Sequence, residues 1–194
     1  NLKELKKKLN HSYTYVVNLG GYGKHTFFKD GGDKIIEAHF LGLVNLTKIL
    51  SKKKIKKFIQ IGSSIEYGKQ ESPQKEIPLK KIDTSSFYGN AKLASTFFLL
   101  SLFKKESYPI SIIRPYLVYG PNQDNNRVIP FVINNSLEGN IFNCSPGNQL
   151  RDFLYIEDFV KAVYKSLKSA NNNGEVINIG SGKPIKIKSL ILKI

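Results

Sequence analysis

Tyr88 and Lys92 stand four residues apart in the stretch DTSSFYGNAKLAS, residues 83–95. Leu93, Phe97, Leu100 and Phe103 follow at a helical spacing. On a helix, positions i and i+4 share a face, so the phenol and the ammonium stand side by side. A phenol titrates near pH ~10 and is a poor base at neutrality. A cation held beside it favours the phenolate and brings that value down. The pair is therefore a candidate proton-transfer device. Tyr-x-x-x-Lys is a common spacing, and an ordinary surface Tyr and Lys would satisfy it equally.

Upstream, KKFIQIGSSIEYG carries an apolar run, Phe58 to Ile61, that breaks at Gly62 into Ser63 and Ser64. It reads as a buried parallel strand ending in small polar residues. In open α/β sheets, ligands bind at the carboxyl ends of the strands. A serine there can hydrogen-bond the oxygen that Tyr88 protonates. Turn chemistry alone also accounts for a serine pair after a strand. Taken together, the strand, Gly62-Ser63-Ser64, Tyr67-Gly68, Tyr88 and Lys92 resemble the short-chain dehydrogenase/reductase superfamily. The nearer resemblance is to its extended branch, the NAD-dependent epimerase/dehydratase family of nucleotide-sugar epimerases, dehydratases and ketoreductases. In that branch a Ser or Thr lies four residues before a Tyr-Gly pair, the position of Ser63 here.

These residues need elements to hold them. Leu2, Leu5 and Leu9 suit one face of a short helix, and Tyr13 to Asn18 reads as a strand. The strand breaks at Leu19-Gly20-Gly21-Tyr22-Gly23, where bare backbone allows close approach to a ligand. The resemblance implies that this backbone passes under the cofactor. Asp33 is placed to cap a long helix that runs through Ile35, Ile36, Phe40, Leu43, Leu46, Ile49 and Leu50 to about Ser51. His39 lies on its apolar side, where the family commonly has Asn. Residues 69–85 form a polar loop with Pro73 and Pro78. Pro109 to Arg114 is a second buried strand, followed by Pro115-Tyr116-Leu117-Val118-Tyr119-Gly120-Pro121, which also looks like the extended branch. Asn usually occupies the place of Leu117 there. Arg127 to Glu138 reads as a helix closed by Gly139, and Asn140 to Cys144 as a short strand. Phe159 to Leu167 is helical, Glu175 to Ile179 is a strand, and a further helix begins near Ile194.

Gly147 to Asp158 contains Arg151-Asp152-Phe153-Leu154-Tyr155-Ile156-Glu157-Asp158. It resembles the family's Arg-Asp-aromatic motif, whose Arg binds the substrate diphosphate. A guanidinium suits that task, because its planar fork of donors matches phosphate oxygens. A structural Arg151–Asp158 pair is the competing reading.

The chain has 194 residues, 41% of them apolar and 11% aromatic, a globular composition. Its single cysteine, Cys144, excludes an internal disulfide framework and suits a reducing compartment. No apolar run approaches the ~18 residues of a membrane span, and the expected setting is cytoplasmic. The net charge of +15 invites a nucleic-acid reading. Only Arg114, Arg127 and Arg151 are arginines, however, and the lysines are scattered along helix faces, so no specific nucleic-acid binding is expected. No metal-ligand spacing is visible.

The expected fold is α/β: a partial Rossmann-like parallel sheet flanked by helices, with part of a small substrate-binding region. Residues 1–120 are assigned to the dinucleotide-binding domain, 121–160 mainly to substrate binding, and 161–194 to a returning helix and strand. The family's N-terminal βαβ unit with its Gly-rich turn, on the order of 30 residues, is not seen before Asn1, so the chain is expected to be an internal fragment that alone is inactive. The resemblance implies Ser63, Tyr88 and Lys92 as catalytic residues. It implies Gly20, Gly21, Ile61, Gly62, Tyr88, Lys92 and Pro115 around NAD or NADP, and Ser64, Arg127 and Arg151 on a nucleoside-diphosphate sugar. The implied chemistry is epimerisation or ketoreduction at sugar C4, by a homodimer. Dehydratases of the family carry an acidic pair directly after the Ser/Thr, at the places of Ser64 and Ile65, so 4,6-dehydration ranks below. A non-catalytic dinucleotide-sensing subunit is the alternative from another class.

Overall fold

The first helix, α1 (Leu2–Lys8), precedes β1 (Tyr15–Asn18), which begins two residues later than the sequence predicts. The computed structural model describes residues 2–9, 12–21, 27–50, 55–76, 83–84 and 86–194. A 3-10 turn (Phe28–Asp30) leads into α2 (Asp33–Ile36), a π-helical turn (Glu37–Leu41) and α3 (Gly42–Ile49). The long helix expected here is thus interrupted by one wide turn, and its expected end at Ser51 lies outside the described residues. Asp33 does not cap it. The capping position is Gly32, already helical, after the 3-10 turn has ended at Gly31 in the left-handed region with φ 100°.

Next come β2 (Lys57–Ile61), a 3-10 turn (Ser64–Tyr67), α4 (Phe87–Glu106), β3 (Ile110–Pro115) and β4 (Leu117–Tyr119). Then follow α5 (Val128–Leu137), β5 (Leu150–Arg151), β6 (Phe153–Tyr155), α6 (Ile156–Lys168), β7 (Val176–Ile179), β8 (Ile185–Lys186) and α7 (Ile187–Ile191). Gly139 follows α5 with φ 69°, the left-handed value that closes the helix as expected. The strand expected at Asn140 to Cys144 is absent. Ile141 is exposed there, and Phe142 instead packs edge-on against Phe131 of α5.

The chain forms two compact units, Asn1–Arg114 with Val163–Asn178, and Pro115–Ala162 with Ile179–Ile194. In the first, the sheet order is β1-β2-β3-β7. β1, β2 and β3 run parallel, with Val16 opposite Phe58 and Phe58 opposite Ile110. Every residue of β2 is buried, as a parallel strand covered on both faces requires. β1 is an edge of this sheet, and Tyr15 and Val17 are exposed on it. The core gathers Leu43, Leu50, Ile55, Phe58, Leu99, Tyr108, Ile110 and Ile112. In the second unit β4 pairs parallel with β6, and β5 antiparallel with β8. Among the described residues, no helix is long and apolar enough to cross a membrane, and no group of three acidic, His or Cys side chains could hold a metal.

Candidate active site

Ser86 starts α4 by accepting the Gly89 N–H at 3.0 Å, an N-cap that fixes where the helix begins and so which face it presents. Tyr88, Lys92 and Thr96 then fall at successive four-residue steps along one side. Lys92 is 5% exposed, and its ammonium donates to the Ile61 carbonyl, the last of β2, at 2.7 Å. The same ammonium lies 5.8 Å from the centre of the Tyr88 ring. Burial lowers the Lys92 pKa from 10.5 to about 8, with the Glu66 carboxylate pulling the other way. Most of the side chain is therefore still charged near neutrality.

The turn after β2 is built by a reciprocal cap. Ser63 Oγ accepts the Ile65 N–H at 3.3 Å, and Glu66 Oε1 accepts the Ser63 N–H at 2.8 Å. The cap uses a lone pair of the Ser63 hydroxyl and leaves its proton free to donate. Ser64 is the first residue of the 3-10 turn and is half-buried. Gly62 donates its N–H to the Ile113 carbonyl at 2.7 Å, pinning the end of β2 to β3. Gly68 must be glycine. Its φ is 58°, and a Cβ there would sit 2.1 Å from the Asp83 carbonyl oxygen.

Sequence reasoning passed over the most buried charges of this region. Glu66 and Arg114 are both 0% exposed and form an ion pair, with Glu66 Oε2 accepting from Arg114 Nη2 at 2.6 Å and Nε at 3.0 Å. The Thr96 hydroxyl donates to the same carboxylate oxygen at 2.6 Å. The Arg114 guanidinium lies 4.6 Å from the centre of the Tyr67 ring. A capping-box signature, Ser63-x-x-Glu66, was the one local signal available.

The π-helical turn, which packs on α4, carries His39, which is 5% exposed and meets the Tyr88 ring edge to face at 4.9 Å. The His39 carbonyl accepts from Ser95 Oγ of α4 at 2.9 Å. Gly21 packs against this imidazole so closely that a Cβ would lie 2.1 Å from His39 Cε1. Gly20 follows β1, its N–H held by Asn18 Oδ1 at 3.1 Å. Tyr22 and Gly23 lie outside the described residues. Gly20, Gly21, Ile61, Gly62, Ser63, Tyr88 and Lys92 are thus all in the first unit, most of them at the carboxyl ends of β1 and β2 or on α4. Pro115 closes β3. A buried ammonium with two donors unused at Ile61, beside a phenol at the strand ends, is a fitting donor set for a ribose diol.

The second unit has its own cleft, about 460 Å³, lined by Leu117, Asn126, Phe131, Phe142, Cys144 and Arg151 among others. Arg151 is exposed, with Nη1 donating to the Leu150 carbonyl at 2.9 Å. It does not pair with Asp158, whose partner is Lys161 at 3.3 Å. The neighbouring Asp152 carries the structural duty instead, accepting from Ser181 N, Ser181 Oγ and Gly182 N at 2.6–2.9 Å. Arg127 is the exposed N-cap residue of α5.

The sequence pattern of the NAD dependent epimerase/dehydratase family matches residues 1–180. The chain is 32% identical over 139 residues to a dTDP-D-glucose 4,6-dehydratase of Homo sapiens, covering 71% of this chain and 39% of that protein. It is 30% identical over 159 residues to a UDP-glucuronate 4-epimerase of Thermodesulfobacterium geofontis, covering 80% and 48%. Among solved structures, a mutant UDP-glucuronic acid 4-epimerase of Bacillus cereus, in complex with a UDP-4-deoxy-4-fluoro-glucuronic acid and NAD, superposes with a TM-score of 0.85 at 28% identity. That match covers 100% of this chain and 63% of that one. The chain spans less than half the length of the two curated relatives.

Proposed function

The chain belongs to the NAD dependent epimerase/dehydratase family, and on that premise we propose that it serves a nucleotide-sugar 4-epimerase or 4-ketoreductase that uses NAD or NADP. The observation that carries this reading is the Lys92 ammonium, buried between the Ile61 carbonyl and the Tyr88 ring. Tyr88 exchanges a proton with the sugar C4 oxygen. Ser63 donates its free hydroxyl proton to that oxygen and orients it. Lys92, as a fixed cation, favours the phenolate form of Tyr88. Lys92 and Tyr88 would hold the nicotinamide ribose, with Gly20, Gly21, Ile61, Gly62 and Pro115 offering backbone around it. The dinucleotide, when bound, supplies hydride transfer to and from the sugar carbon. Arg151 clamps the diphosphate, with Ser64 and Arg127 as further substrate contacts. A cytoplasmic setting fits the lone Cys144. Leu41 on the π-helical turn and Phe97 on α4 are exposed apolar side chains of the kind a homodimer would cover.

Similarity to a 4,6-dehydratase favours a second reading, elimination of water. Ser64 and Ile65 cannot serve as its acid and base. The one carboxylate of the turn, Glu66, is buried and committed to Arg114. Epimerisation or ketoreduction therefore ranks first.

The test is turnover of UDP-glucuronate, UDP-glucose and dTDP-glucose with NAD and NADP, for the native protein and Tyr88→Phe. Loss of the hydroxyl deletes the proton path but keeps the ring. The variant should lose ~100- to 10,000-fold in kcat with dinucleotide affinity nearly unchanged. A variant within a few-fold of the native rate would remove Tyr88 from the reaction.

A further inference from the structure

We propose that Glu66 is the positioning residue of this site: its buried carboxylate locks the Ser63 turn to the Tyr88–Lys92 side of α4 and supplies the counter-charge that Lys92 faces. The inference rests on the functional reading above and deepens it.

Four donors converge on this one carboxylate, and each comes from a part of the site. Ser63 N–H reaches Oε1 from the turn, Thr96 Oγ1 reaches Oε2 from α4, and Arg114 reaches Oε2 twice from β3. Thr96 is one helical turn beyond Lys92, which is one turn beyond Tyr88. A bond at Thr96 therefore sets the height and rotation of the face that carries both. A bond at Ser63 N–H sets the residue that would orient the substrate oxygen. Gly62 leaves the space for this arrangement, since a Cβ there would lie 2.4 Å from Glu66 Oε1.

The charge matters as well as the bonds. Among the described residues, the charged and titratable groups around Lys92 include Tyr88 on its own helix, Glu66 on the turn, Arg114 bound to Glu66 on β3, and His39 against Tyr88 from the π-helical turn. Among the described residues the Glu66 carboxylate acts on Lys92, and it opposes the effect of burial. Without it, Arg114 would remain as an unscreened buried cation, and both changes disfavour the ammonium.

Two variants test this. Glu66→Gln keeps the shape and removes the charge. Thr96→Val keeps the charge and removes only the tie to α4. Lysine-selective NMR, with Lys92→Arg for assignment, reads the Lys92 titration directly. In Glu66→Gln the midpoint should move down from about 8 by roughly one pH unit, and the alkaline decline of kcat should move with it. Local unfolding would move the midpoint the other way, toward the ordinary 10.5. In Thr96→Val the midpoint should stay, while kcat with UDP-glucuronate and NAD falls on the order of ten- to a hundred-fold and KM holds. An unmoved or raised midpoint in Glu66→Gln, or native kcat in Thr96→Val, overturns the proposal. If Glu66→Gln does not fold, Thr96→Val decides by the same criterion. If no sugar is turned over, the functional reading falls and the Lys92 titration alone decides the role of Glu66.

Discussion

A guanidinium and an ammonium carry the same charge, but only the guanidinium offers a planar fork to two phosphate oxygens at once. Arg151 is placed to exploit this: it is exposed, it lines the cleft of the second unit, and its one hydrogen bond among the described residues is to the adjacent Leu150 carbonyl. Freed of Asp158, which turns to Lys161, it has donors to spare. Arg151→Lys should therefore weaken nucleotide-sugar binding even though charge is kept, and Arg151→Ala should weaken it more. Charge-assisted hydrogen bonds contribute ~1.5–3 kcal/mol each, so the loss of one raises Kd roughly ten- to a hundred-fold. Titration calorimetry with UDP-glucuronate measures this, and single-turnover reaction at saturating sugar should show the chemical step little changed. Unchanged affinity in both variants would move the diphosphate site away from Arg151, with Arg127 the next residue to test.

At the scale of elements, the end of β2 is the most exacting place in the first unit. Gly62→Ala would push a methyl toward Glu66 Oε1, 2.4 Å away, and toward Arg114 Cγ at 3.2 Å. Both neighbours are fully buried and cannot swing into solvent. The expected cost is about 1–3 kcal/mol, as for other overpacked interiors, read by urea denaturation. A variant as stable as the native protein would mean that the turn carries slack the structure does not show. Much of this element was legible in sequence, because a fully buried parallel strand is mostly apolar and Phe58 to Ile61 is so but for Gln60, whose buried amide accepts from Asn18 Nδ2 and donates to the Ile61 carbonyl. α4 was legible from its apolar period, Leu93, Phe97, Leu100 and Phe103, whereas its Ser86 cap shows only in the structure. What stayed hidden depends on partners distant in the chain. The Glu66–Arg114 pair spans 48 residues, so no local pattern reports it. The wide turn at Glu37–Leu41 leaves the apolar period around it almost undisturbed, so one continuous helix was the natural reading. Asn140 to Cys144 had strand-like residues, but a strand needs a neighbour, and Phe142 found Phe131 instead. In the cleft, the Arg-Asp motif named Arg151 but could not tell that Asp152, rather than Asp158, ties the loop at Ser181.

At the scale of the whole molecule, buried ionisable groups and a net charge of +15 make stability depend on pH in a direction that can be worked out. Lys92 is lowered from 10.5 to about 8 by burial, and so is Lys57, which is 2% exposed and held by the Asn172 and Asn173 side-chain oxygens. Between pH 8 and 10.5 the unfolded chain binds more protons at these sites than the folded one, so stability rises with pH across that window. Below pH 8 both states are protonated, and the folded protein bears the full penalty of keeping two ammonium groups out of water. Tyr108 acts in the opposite sense. Burial raises it from 10.0 to about 12, so above pH 10 the unfolded chain ionises first and stability declines. Shedding positive charge as pH rises also relieves self-repulsion. Thermal melts by circular dichroism should therefore show Tm climbing from pH 7.5 to about 10 and turning over beyond it. Lys57→Met removes one of the two buried ammonium groups at the start of β2, the opposite end of the strand from Gly62 and Ser63. It should flatten the climb while leaving dinucleotide binding as it was. A Tm that is level or falling from pH 8 to 10 would show that Lys57 and Lys92 reach water in the folded protein and titrate near the ordinary 10.5.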